Sequence, residues 1–580
     1  MKKLFFALFL LCIAIPLFLI WCFTPKVTQL IISEDTTRIT SPLTDDGQRV
    51  HYLKALEQRI YPPELATDDN GFRIFVRQFG DAGYLSDMPR EEDVEFQRLQ
   101  VYAKLGLDPD IPPTQTLPLE PQKIVEDFYE AKGEEYDKKQ KSIYATPWTL
   151  DDYPMLADWM SEIDIPLDAI ADMIRKPIFQ APLRESRRSY EQEQGCPDNL
   201  IAMLLPDVQM FRSIARHFSA RANYRIAHGN IDGAIDDKLT LHRFGRLVPP
   251  SGGTLIGYLV GIAIERMAGE IPINANPEHP LTETQIRRIL EGLDALPPRT
   301  SIYEAYEWER YVGLSALQDA YFDRTTNKHV TSLPWIISNF NLSHEMIGIT
   351  ERLRLSPFMR RVLDWNVVYR RLNEVYDALQ QPPPLTEYHA LLKAAEEGIQ
   401  NAKGRSSGSF DDFIADALIA LLLPAMEASL EATQRMECSD NIQRLALAIL
   451  LYQCEHGMLP DEHWTTQIEK YLGEKPEQYF SCPTNPSPEG KTTYALVRCD
   501  QVLQNLDTLL LVELETPVPL VEALITHDEI LERERTSKRH HLGGNVASHS
   551  GVVRFLANDT DEEELFRLLG REVAECQVAE

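Results

Sequence analysis

"IALLLPAMEASLEATQRMECSDNIQRLALAILLYQCEHGMLP", Ile419 to Pro460, decides how this chain is read. Up to His456 it belongs to one continuous helix expected from Phe410 to His456. Short apolar runs follow it, separated by Pro and Gly turns: "TTYALVRC", "TLLLVEL", "NVAS" and "VVRFL". These read as strands, so residues 410–580 are expected to be α+β, a long helix leading into a small antiparallel sheet. Phe413, Ile414, Ala417, Leu418, Leu421 and Leu422 form one face near the start of the helix. That face is expected to pack on the preceding helical domain. Asp411, Asp412 and Asp416 oppose insertion of the same end into a membrane. Just before the helix, "KGRSSGS" (403–409) reads as a flexible linker and a domain boundary.

Upstream, residues 45–402 read as an α-helical domain. "LTETQIRRILEGLDAL" and "MRRVLDWNVVYRRLNEVYDALQ" are two of its helical patterns. Leu200 to Val248 reads as a helical hairpin broken at His228-Gly229-Asn230, with Gly229 suited to a helix end and Asp232 opening the next helix. Ser251-Gly252-Gly253 lacks the Gly-Lys-Ser/Thr of a phosphate loop, so it reads as a loop and cap. The tyrosines and tryptophans at helical spacing read as core. The fold class is therefore mainly α with a C-terminal α+β domain.

The N-terminus carries a separate signal. Lys2 and Lys3 precede "LFFALFLLCIAIPLFLIWCF", an uncharged run from Leu4 to Phe23. As a helix it would reach about 30 Å, the thickness of a bilayer core. Residues 1–26 are thus expected to be a signal anchor, a transmembrane helix holding the chain in the lipid bilayer through residues 4–23, and residues 27–44 a polar stem. The lysines place the N-terminus inside and the bulk outside the cytoplasmic membrane in a single pass. The formal net charge of -30 argues against nucleic acid as a partner and for a solvated acidic surface. The carboxylate pairs Asp236-Asp237, Glu91-Glu92 and Glu396-Glu397 read as solvated faces.

Eight cysteines are present and no CxxC spacing occurs, which argues against a zinc site built from cysteine pairs. Cys438 and Cys454 stand about 24 Å apart along one helix and cannot pair with each other. Cys482 with Cys499 is the expected disulfide; the alternative is that the six cysteines outside the anchor stay reduced or buried.

Near the end of the chain, "HHLGGNVASHSGVVRFL" (540–556) reads as a β-hairpin. His549-Ser550-Gly551 is its turn, Gly551 supplies a positive φ, and Gly543-Gly544 lets the backbone turn into the first strand. Several pieces in one order resemble bacterial pseudopilin-like proteins with a C-terminal His-x9-Asp-Gly signature. They are Leu422-Leu423-Pro424-Ala425, Cys438, Asn441-Ile442, His456-Gly457 and Pro460 on the helix, then "FSCPTNP" at 480–486 and "LLVELETPVPLVEALITHDEI" at 510–530. His540 followed by Ser550-Gly551 completes the signature, with Ser550 in place of the Asp. The resemblance covers 410–556 and implies a pseudopilin-like domain in which His540, Gly543, Gly544, Asn545, Ser550 and Gly551 are structural signature residues. It also implies other envelope or secretion proteins as partners.

His540, His541 and His549 lie on a turn and a hairpin with no acidic cluster evident nearby, so neither metal nor cofactor is expected. Ser548 and His549 alternate across a strand and are not expected to act as nucleophile and base. No catalytic motif of the GxSxG, HExxH, Walker or Rossmann kind appears. The sequence thus points to a membrane-anchored cell-envelope protein with a structural or protein-interaction role. The alternatives are an envelope hydrolase with a site between its two domains, and an accessory component of a type II-like secretion system.

Overall fold

The computed structural model describes residues 30–44, 47–80, 91–133, 142–184, 200, 206–276, 278–326, 364–379, 410–482, 488, 491–498, 509–519, 524–526 and 543–557. Most of these residues are helical. In chain order the helices are α1 (Tyr52–Ile60), α2 (Gly71–Phe79), α3 (Glu91–Leu105), α4 (Pro121–Lys132), α5 (Ala157–Ile174), α6 (Pro206–Ala227), α7 (Ile231–Gly252), α8 (Leu255–Glu270), α9 (Glu283–Asp294), α10 (Ile302–Thr326), α11 (Trp365–Leu379), α12 (Phe410–His456) and α13 (Trp464–Ile468). A small sheet follows, of β1 (Lys491–Arg498), β2 (Leu509–Pro519), β3 (Leu524–Thr526), β4 (Gly543–Ser548) and β5 (Val553–Ala557). Among the described residues no helix is long and apolar enough to cross a membrane. The expected anchor, Leu4 to Phe23, lies outside the described residues, as do His540, Cys499 and the linker at 403–409.

The chain divides into two compact units, and none of the points where it passes from one to the other falls at that linker. One unit takes residues 1–59, 183–204 and 303–428; the other takes 60–182, 205–302 and 429–580. The long helix α12 contributes to both. Gly and Ser mark a place where the chain can bend, and carry no information on which helices share a core.

In the first unit, the segment expected to be a stem is packed down. Asn373 on α11 donates from Nδ2 to the carbonyls of Asp35 (3.0 Å) and Thr36 (2.6 Å). Asn366 accepts from Ile31 N at 2.8 Å. Gln318 on α10 pairs with both backbone groups of Val50 at 2.9 Å, as a neighbouring strand would. Thr36 and Thr37 are buried, and Tyr52 donates to the Thr37 carbonyl at 2.9 Å. Asn366, Asn373 and Tyr52 thus satisfy backbone groups between Ile31 and Thr37.

The second unit is built on α6, α7 and α8. Gly229 (φ 71°) ends α6 and the side chain of Asn230 caps Gly233 N at 3.1 Å, so α7 starts at Ile231, one residue before Asp232. Of the expected loop and cap, Ser251 and Gly252 lie within α7, Gly253 (φ 58°) ends that helix, and Thr254 caps α8 through Gly257 N at 3.1 Å. Phe72, Phe179, Phe211 and Phe244 meet edge to face, with ring centroids 5.4–6.4 Å apart. The Trp148 indole is buried beside them in the same core and donates to the Ala220 carbonyl at 2.9 Å.

Helices α7 and α8 cross through two glycines. A Cβ on Gly261 would stand 2.6 Å from the Gly245 carbonyl oxygen and 2.7 Å from Pro249 Cγ. Both neighbours belong to rigid helix, so the axes must part to admit a methyl group. Gly261→Ala is expected to lower stability by roughly 1–3 kcal/mol, read as a shift in denaturant midpoint at unchanged slope.

The residues of α12 from Ile442 to Leu451 join the same hydrophobic cluster as Ile214, Phe244 and Ile289, and so do Tyr494, Leu511, Ala547 and Val553 of the sheet. The sheet order is β3-β1-β2-β4-β5. Four strands pair antiparallel, as expected, and the three-residue β3 lies parallel to β1 at the edge.

Candidate functional site

The signature hairpin forms at the expected place. Gly551 adopts φ 79°, Gly551 N donates to the Ser548 carbonyl at 3.1 Å, and Ser548 N to the Val552 carbonyl at 2.9 Å. Gly543 and Gly544 do not turn into the strand; they lie within β4, opposite Ala557 and Leu556. Strand alternation separates Ser548 from His549 and brings Ser548 Oγ to Ser550 Oγ at 2.8 Å. Asn274, just beyond α8, receives the turn: its N donates to the Ser550 carbonyl at 2.9 Å and its Nδ2 to the His549 carbonyl at 3.0 Å. His549 and Ser550 are buried by this docking. Ser550, where the signature has Asp, is spent on the hairpin itself.

Asn545 of the signature points into the sheet. Its N and Nδ2 both donate to Glu513 Oε2, at 3.0 and 3.1 Å. The Glu513 side chain therefore serves a backbone N–H of the next strand, beside the irregular pairing of β1 with β2. Across from Glu513 stands a disulfide, Cys438–Cys482, with Cα atoms 5.3 Å apart. Both cysteines are fully buried. Cys482 therefore does not pair with Cys499, as expected, but with a residue 44 positions earlier on α12. Side chains of α12 and β1 hold the same segment: Asn441 Nδ2 on α12 donates to the Ser481 carbonyl at 3.1 Å, and Cys482 N donates to Thr493 Oγ1 on β1 at 2.8 Å. The local spacing of Cys482 and Cys499 could not reveal this. Both true partners were, however, among the residues that carry the family resemblance.

A second polar cluster runs along α7, and the sequence did not flag it. Lys238, His242 and Arg246 recur every fourth residue on one face of the helix. Lys238 is fully buried and its Nζ caps the end of α8, donating to the carbonyl of Ala268 at 2.5 Å and reaching those of Gly269 and Ile271 at 3.5 Å. Burial pushes its pKa down from 10.5 to about 7. Burial also holds the His242 imidazole well below its usual range, helped by the positive charges of Lys238, Arg246 and Arg299. His242 faces Gln443 of α12.

One turn on, Arg246 and Arg299 share two carboxylates. Arg246 reaches Glu265 at 3.1 Å and Asp440 at 3.2 Å; Arg299 reaches the same two at 2.7 and 2.8 Å. Burial works against the charge on Arg299, but Asp440 and Glu265 hold its pKa above the ordinary value. Burial raises the pKa of Glu437 on the same stretch of α12. This group of two cations and two anions ties α7, α8 and α12 together.

The pair Asp236-Asp237 is only half a solvated face. Asp236 is paired with exposed Arg288. Asp237 is buried, bonded to Arg221 at 2.6 Å and to Arg225 at 2.9 Å. Arg221 is itself buried, and reaches Asp168 (2.9 Å) and Asp164 (3.2 Å) with its other nitrogen. Burial pushes the Asp237 carboxyl up, against the pull of the two guanidinium groups.

These clusters fasten one element to another: Asp237, Arg221, Glu265 and Arg299 meet opposite charges, and Lys238 and Glu513 are held by hydrogen bonds. No protein-family model, curated protein or solved structure matches this chain.

Proposed function

We propose that this chain is a membrane-anchored cell-envelope protein with a structural or protein-interaction role, held by residues 4–23 and folded on the outer side of the cytoplasmic membrane. The observation that carries the reading is the fully buried Cys438–Cys482 disulfide. Disulfides persist in oxidising compartments and are rare where thiols are kept reduced. The uncharged run Leu4 to Phe23 after two lysines supports the same side of the membrane. The order of the signature pieces over 410–556 supports a pseudopilin-like character for the tail, with envelope or secretion proteins as its partners. The way the polar clusters are spent, on joining helices to sheet, supports a scaffold in preference to a reaction centre.

The reading is tested in spheroplasts by external protease, with thiols trapped by an alkylating agent before lysis. The expected result is digestion of the bulk of the chain, with Cys438 and Cys482 joined. A chain protected from protease, with both thiols alkylated, would sink the reading.

A further inference from the structure

Three buried side chains meet where α12, the 482 turn and β2 come together. The two sulfurs of Cys438 and Cys482 and a carboxylate oxygen of Glu513 all lie within 4.8 Å of one another. All three residues are at most 1% exposed. Around a tetrahedral zinc, with bonds of about 2.3 Å to sulfur and about 2.0 Å to oxygen, ligand atoms stand roughly 3.5–3.8 Å apart. The cluster is therefore of the right size once the sulfurs are no longer bonded to each other.

We infer that Cys438, Cys482 and Glu513 form a site for a soft divalent cation of the zinc class in the reduced chain, with the disulfide as the oxidised state of the same site. A thiol or phosphine reductant would supply two electrons, and two protons taken up from solvent leave two thiols. The cation displaces those protons as both sulfurs bind as thiolates. Two thiolates and a carboxylate buried together without a cation would be strongly unfavourable, and a divalent ion offsets most of that charge. Thiolate sulfur selects zinc, cobalt or cadmium over magnesium or calcium. The carboxylate is already oriented for this role, because the backbone and side chain of Asn545 both donate to Oε2 at 3.0 and 3.1 Å. The ion would hold α12 to the sheet at the same point as the disulfide, with water in the fourth position.

This inference does not rest on the envelope reading, and the two can fail separately. Full-length chain in detergent is reduced with a phosphine under argon and titrated with Co²⁺ alone. The expected result is uptake of a single ion with sulfur-to-cobalt charge-transfer absorption, and none in the oxidised chain. Cys438→Ser and Cys482→Ser should each abolish that band, while Cys454→Ser leaves it unchanged. Glu513→Gln should weaken binding by about tenfold or more. Glu513→Asp, which keeps the charge but withdraws it, replaces that variant if it fails to fold. Absence of the band in the reduced chain, a band that survives both Cys438→Ser and Cys482→Ser, or unchanged affinity in the Glu513 variant would overturn the assignment.

Discussion

Asp237→Ala is expected to lower the stability of the folded chain by roughly 3–5 kcal/mol, the cost of breaking a buried ion pair from one side. Asp237 accepts from two guanidinium groups, Arg221 at 2.6 Å and Arg225 at 2.9 Å. Its loss leaves Arg221 with a side chain 2% exposed and only the outlying carboxylates of Asp164 and Asp168, which are more than half exposed. Those two sit in water and screen the buried charge weakly. Denaturant titration of both proteins checks the loss. Replacing both partners, as in Arg221→Met with Asp237→Leu, is expected to recover most of it, because no unmatched charge then remains in the interior. A double variant as unstable as Asp237→Ala would mean that the destabilisation comes from lost packing and not from the orphaned cation.

Much of the fold was legible, and what was missed shares a physical cause. The helix from Phe410 to His456, the helix break at Gly229 and the hairpin at Gly551 are local features. Each follows from residues within a few positions of one another, so sequence alone carries it. Lys238, His242 and Arg246 are different. Spaced four apart on a helix, they read as a charged solvent face, and only partners far along the chain reverse that. Glu265, Arg299 and Asp440 come from three other segments. Asp237 beside Asp236 is the same case at one residue's resolution, one carboxylate facing out and its neighbour facing Arg221. The disulfide was missed because chain proximity favours Cys499, whereas the fold brings α12 to Cys482 across 44 positions. The packing of 30–44 does not show in its own residues, because threonines suit a solvated stem as well as they suit a segment hydrogen-bonded by Asn366 and Asn373.

Lys238→Met is expected to remove a pH dependence of stability that the unaltered chain carries above neutrality. In the folded state burial holds the Lys238 ammonium at a pKa of about 7, against 10.5 for a solvated lysine. Between these values the unfolded chain binds a proton that the folded chain does not, so stability rises with pH across that window. Below pH 7 both states are protonated and the cost of burying the charge is fully present; above 10.5 it has vanished. The difference in stability between the unaltered chain and Lys238→Met should therefore move by on the order of 4–5 kcal/mol in favour of the unaltered chain from pH 7 to 10.5. Other groups that titrate there, such as tyrosines, are common to both proteins and cancel in the comparison. His242, kept neutral by burial and by Lys238 beside it, titrates below the window. At any one pH the variant also loses the donor that caps the Ala268 carbonyl, a term that does not change with pH and so is separable from the slope. Parallel slopes for the two proteins between pH 7.5 and 10 would show that the Lys238 ammonium reaches water, and that its place at the end of α8 is not the dry one described above.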